Sequence, residues 1–80
     1  MLTEILIIDD NPDIRNILND LIRDAGYKTR VAANYGQALA EIDKKLPDVA
    51  IIDVKLDKGD NDGIQLLNHI KNKNKEVPVI

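Results

Sequence analysis

The stretch EILIIDDNPDIRNIL, residues 4–18, carries the reading of this sequence. An apolar run suited to a buried strand ends in two adjacent carboxylates, Asp9 and Asp10, and a helix start follows at once. From Glu4 to Ile8 the apolar residues are continuous rather than alternating, the pattern of a parallel strand covered on both faces. Pro12 follows Asn11, a good capping residue, and proline suits the first helical position because its missing N–H would have no partner there. Two like charges at one strand end repel each other and resist burial, so folding alone gives little reason to place them there. Something positive belongs beside them.

Reading outward, Ile14, Ile17, Leu18, Leu21, Ile22 and Ala25 follow the i, i+3, i+4, i+7 spacing of one buried helix face, and Gly26 supplies the stop. Lys28 to Ala32 reads as a second strand, and Asn34 as the cap of a helix with Tyr35, Ala38, Leu39 and Ile42 inward, ended by Pro47. Asp48 to Asp53 is another continuous apolar strand ending in a carboxylate. A polar loop follows, then a third helix capped by Asp62 with Ile64, Leu66, Leu67 and Ile70 inward, and a fourth strand begins at Val77. Strands alternating with helices imply a doubly wound α/β fold with a parallel sheet, right-handed crossovers and helices on both faces. If the second and third strands flank the first, the carboxyl ends of strands one and three border a crevice, the usual ligand position in such sheets. Asp9, Asp10 and Asp53 then converge there.

Composition narrows the classes. Eighty residues hold one small domain. A hydrophobic share of 44% beside 31% charged residues is too apolar for a disordered chain, so a core forms, and it is aliphatic because Phe and Trp are absent. The net charge of −3, with no block of Lys and Arg, gives no stripe for a nucleic-acid backbone, and no direct nucleic-acid binding is expected. Cysteine is absent, so there is neither a disulfide framework nor a thiolate metal site. No apolar run reaches the 18 or so residues of a membrane span, and the expected location is the cytoplasm, with no membrane partner.

Three carboxylates within a few ångströms need compensation, and a hard divalent cation supplies it. Mg²⁺ takes oxygen ligands and keeps some waters, using one or two carboxylates together with phosphate oxygens. A carboxylate beside it can be the nucleophile that accepts a phosphoryl group as an aspartyl phosphate.

The segments ILIIDDNPDIR, DVAIIDVKL and DNDGIQLLNHIK together resemble the N-terminal two-thirds of a response-regulator receiver domain of two-component signalling, across essentially all 80 residues. The resemblance implies a flavodoxin-like fold of strand order 2-1-3-4-5, here ending within strand four, so that residues 1–80 form a receiver domain incomplete at its C-terminus. It makes Asp53 the phosphoacceptor, Asp10 a direct Mg²⁺ ligand, Asp9 a ligand acting mainly through water, and the backbone carbonyl of Lys55 the third protein oxygen. It also implies a histidine kinase or phosphotransfer protein as partner and a downstream output domain. The family has proline soon after the phosphoacceptor and a D-G pair seven residues past it; here Asp57 replaces the proline and Asp62 stands nine residues on, a longer loop that resembles the NtrX type of nitrogen regulator. The switch Ser/Thr and Lys of the family fall beyond Ile80. With the strand-four edge and one side of the sheet uncovered, the 80 residues are expected either to be the ordered part of a longer protein or to associate as a homo-oligomer through that edge.

Simpler readings compete at each position. Asp9 and Asp10 could cap a helix and interact with its dipole, but one carboxylate suffices for that. The Asp57, Asp60, Asp62 loop lacks the alternating ligands and bidentate Glu of a calcium loop and reads as solvated. His69 is expected on the surface with no part in phosphotransfer, and the lysines after it as a solvated helix end. A Mg²⁺-dependent aspartyl-phosphate phosphohydrolase would need an acid/base carboxylate two residues after Asp9, where Asn11 stands. A receiver-like interaction module that takes no phosphate would have lost an acidic residue, and none is lost. The chain therefore reads as a signalling switch rather than a metabolic enzyme.

Overall fold

The computed structural model describes residues 3–52 and 62–80. Strand β1 (Glu4–Ile8) lies at the centre of a parallel sheet of order β2-β1-β3, between β2 (Lys28–Ala32) and β3 (Val49–Ile52). All five residues of β1 are buried, as its unbroken apolar run requires of a strand covered on both faces. The register pairs Ile8 with Ala32 on one side and with Ile52 on the other. Beyond β3 the final segment continues the sheet: Ile80 N–H donates to the Ala50 carbonyl at 2.8 Å, and Ile52 N–H to the Ile80 carbonyl at 3.0 Å.

Helix α1 (Pro12–Asp24) begins where Asn11 and Pro12 predict, and it stops at Gly26, whose φ of 98° lies where glycine alone is unstrained. Helices α2 (Tyr35–Lys44) and α3 (Asp62–Lys73) complete the layers. The core gathers Leu6, Ile8, Ala32 and Ala50 from one face of the sheet with Ala38 and Ile42 of α2, Leu66 and Ile70 of α3, and Val77. Helix α1 covers the other face, where Asn19 Oδ1 accepts a 2.6 Å hydrogen bond from the Thr29 hydroxyl of β2.

Two expected core faces are corrected. No residue of α1 is buried, and Ile14, Ile17 and Leu21 are 46%, 58% and 62% exposed. The helix packs over β1 and β2, with Asn19 turned to β2. Two residues from Asn19 along a helix, Ile17 points away from that contact. Periodicity marked a face able to be buried, and the neighbouring elements cover only Leu18 and Ile22, in part. Ile64, expected inward on α3, is 49% exposed, whereas Leu66 and Ile70 one turn apart are fully buried.

At the amino ends of the strands sits a network that local sequence does not announce. Arg30 on β2 donates from Nη1 to the Glu41 carbonyl (2.9 Å) and carboxylate (3.0 Å), and from Nη2 to the Lys45 carbonyl (2.6 Å). It thereby closes the carboxyl end of α2, where carbonyls lack helical partners. The same Nη2 lies 3.0 Å from Glu4 Oε1 on β1. Glu4 is the buried charged residue among those described, and its Oε1 and the Arg30 Nε make no well-formed hydrogen bond. The contact is thus a charge pair by proximity rather than a two-pronged fork. The backbone N–H of Glu4 is secured separately by Asp48 Oδ2 at 2.7 Å.

Removing one partner of a buried pair strands the other. Arg30→Met should lower the unfolding free energy by about 3–5 kcal/mol, read as a fall in urea midpoint at constant m-value. An unchanged midpoint would show that water or Lys28, whose Nζ lies 3.9 Å from Glu4 Oε2, satisfies Glu4. The Arg30 hydrogen bond, assisted by Lys44, also holds the Glu41 carboxyl below its ordinary range. A depressed folded value makes its contribution fully present above the unfolded carboxylate pKa of about 4.3 and lost as pH falls through the lower folded value. Glu41→Gln should therefore flatten the stability–pH curve below about pH 4.3, measured by denaturant titration at stepped pH.

Candidate functional site

The site begins where β1 ends. Asp9 leaves the strand with its N–H donated to the Ala32 carbonyl of β2 at 3.2 Å. Its Oδ1 turns forward and accepts the Asn11 N–H at 2.9 Å, and its carbonyl accepts Arg15 Nη1 at 2.9 Å. Asn11 in turn caps α1, its Oδ1 accepting from the N–H groups of Asp13 (2.9 Å) and Ile14 (3.3 Å). The two acids are therefore unlike. Asp9 is half-buried with one carboxylate oxygen committed to the turn, whereas Asp10 is exposed.

Across the sheet, Ile52 pairs in register with Ile8, the residue before Asp9. Asp53 follows Ile52 in the sequence; it lies outside the described residues, as do Lys55, Asp57 and Asp60. Among the described residues no three acidic or histidine side chains meet to hold a metal. The donor set that is described, adjacent carboxylates at the free end of a strand, is of hard oxygen and fits Mg²⁺ in its chemistry.

A parallel sheet of order 2-1-3 with paired acids at the carboxyl end of its central strand is the arrangement the sequence implied, and the receiver-domain profile of response regulators matches residues 5–80. The chain belongs to the response regulator receiver family. It is 40% identical over its whole length to the nitrogen assimilation regulatory protein NtrX of Azorhizobium caulinodans, spanning 18% of that protein. It is 39% identical over 77 residues to sporulation initiation phosphotransferase F of Bacillus subtilis, spanning 60% of it. Among solved structures, NtrX from Brucella abortus superposes with a TM-score of 0.88 at 37% identity, over 99% of this chain and 18% of that one. The chemotaxis response regulator CheY4 of Vibrio cholerae gives a TM-score of 0.88 at 28% identity, over 99% and 66%. This receiver chain thus spans about a sixth of the length of the NtrX relatives it matches. Among the described residues no helix is long and apolar enough to cross a membrane.

Three side chains gain roles that the sequence reading did not give them. Arg15, within the quoted motif, reaches back to Asp9. His69 is half-buried rather than free on the surface: its Nε2 lies 3.0 Å from Asp43 Oδ1 on α2, which Lys73 Nζ also approaches at 3.3 Å. The His69 hydrogen bond, then that of Lys73, holds the Asp43 carboxyl below its ordinary range. Lys71, expected as part of a solvated helix end, donates to the Val77 carbonyl and so fixes the turn into the final segment.

Asn11→Ala should remove the α1 cap and lower the unfolding free energy by about 1 kcal/mol. Thermal denaturation checks this, and a wild-type melting temperature would show that Asp9 caps the turn unaided.

Proposed function

We propose that Asp53 is the phosphoacceptor of this receiver, taking a phosphoryl group from a phosphohistidine of a partner histidine kinase or phosphotransfer protein. Asp10 serves as a direct Mg²⁺ ligand, Asp9 acts through water, and the Lys55 carbonyl is the third protein oxygen. The observation that supports this reading is the register of β1 with β3: Ile8 and Ile52 are paired, so the two strands end side by side, and in the sequence Asp9 follows the first and Asp53 the second.

A carboxylate oxygen of Asp53 attacks phosphorus as the phosphorus–nitrogen bond of a phosphohistidine protonated on its other ring nitrogen breaks, leaving an acyl phosphate on the receiver and a neutral imidazole on the donor. When bound, the divalent cation neutralises the acids and the transferring phosphoryl oxygens. The protein's own contribution is positional. Asp9 is immobilised by β2, Arg15 and Asn11, and Asp10 is left exposed to take a ligand. In the intact protein an output domain reads the modification, and the protein works in the cytoplasm.

Labelling with a small phosphodonor and Mg²⁺ should give one acid-labile adduct, absent from Asp53→Asn; equal labelling of that variant by mass spectrometry would defeat the assignment. Mg²⁺ should also raise the melting temperature, because it relieves repulsion that folding creates. Asp10→Ala should abolish that rise, and a parent chain whose melting ignores Mg²⁺ would count against the whole site.

A further inference from the structure

Asp10 stands between two backbone carbonyls that one residue grips. The N–H of Arg15 donates to the Asn11 carbonyl at 3.0 Å, closing the first turn of α1, and its guanidinium Nη1 donates to the Asp9 carbonyl at 2.9 Å. The Asp9 carbonyl belongs to the planar peptide that leads into Asp10, so fixing that oxygen fixes the direction in which Asp10 leaves the strand. The N–H of Asp9 is already held by β2. The guanidinium bonds a main-chain oxygen here, which leaves the exposed Asp10 carboxylate available to a ligand.

Resting on the reading of Asp9 and Asp10 as cation ligands, we infer that Arg15 is a positioning residue of the Mg²⁺ site: it orients the Asp9–Asp10 peptide before any cation arrives. Two effects of opposite sign meet in this side chain. A nearby positive charge disfavours a cation through space, and salt screens that repulsion. Preorganisation favours the cation, because the ordering cost is met in folding rather than in binding, and salt does not screen it. High ionic strength therefore isolates the positioning effect.

The test is Mg²⁺ titration of the full-length protein, followed through the amide resonances of Asp10 and Asn11, in about 1 M monovalent salt, where the Debye length is about 3 Å. Arg15→Met keeps the aliphatic stem and loses the donors and the charge; it should bind Mg²⁺ about fivefold more weakly, the equivalent of one ordinary hydrogen bond net of water. Its metal-free melting temperature should fall by a few degrees, because the bond exists before the cation binds, and the variant should stay folded at the temperature of the titration. Arg15→Lys, with a single donor and the charge, should fall between the two. Affinity in Arg15→Met equal to or tighter than the parent's would overturn the role of Arg15 while leaving the receiver site intact. So would a loss no larger than its unfolded fraction explains. A parent protein that binds no Mg²⁺ would overturn this inference and the site reading together.

Discussion

Everything in this fold hangs from the parallel pairing of β1 with a strand on each side. A central strand has no free edge and no solvent face, so each of its residues must be apolar or paired, and four consecutive aliphatics after Glu4 meet that demand. Side chains alternate strictly across a sheet, so slipping the register by one residue would turn Leu6 and Ile8 away from α2 and α3. The same register sends the chain out of β1 and β3 at one end of the sheet. Burial in the middle of the molecule thus decides where the charges at its edge stand.

The charges are sorted by end. At the amino ends of the strands, Glu4, Arg30 and Glu41 join β1, β2 and α2, with the cation supplied by the chain itself. At the carboxyl end, among the described residues, the Arg15 guanidinium bonds the main-chain oxygen of Asp9 rather than a carboxylate. One end supplies its own counter-charge and serves stability; the other is the end at which the cation is proposed to bind. Sites that bind and react are drawn from the second kind, because compensation already in place leaves little for a ligand to add.

Elements whose signals are local were legible in the sequence. The bounds of β1 and β2, the Asn11 and Asn34 caps and the stop at Gly26 depend on residues a few positions apart, and they stand where expected. The position of Asp9 and Asp10 just past the carboxyl end of β1 was legible because the apolar run stops there. The burial of α1 was not, since spacing reports which residues share a face and says nothing of what lies opposite. Ile14, Ile17 and Leu21 share a face that β1 and β2 do not reach. Long-range polar contacts were illegible for a related reason: Arg30 with Glu4, and His69 with Asp43, join residues whose proximity exists only after the sheet has formed.

The order of pairing along the chain carries a consequence for how the molecule assembles in time. Glu4 meets Lys28 across β1 and β2, whereas Ile5 meets Val49 across β1 and β3, a closure roughly twice as long. Each doubling of a loop adds only about 0.6 kcal/mol of entropy cost, so length alone sets a weak hierarchy. The hierarchy is sharpened because α1, with its own cap and stop, forms between the first two strands and shortens the distance they must search. The β1-α1-β2 unit therefore has the shorter closure, and it contains Asp9, Asp10, Asn11 and Arg15. The hydrogen bonds that shape the acid turn all lie within it, so they do not wait on β3.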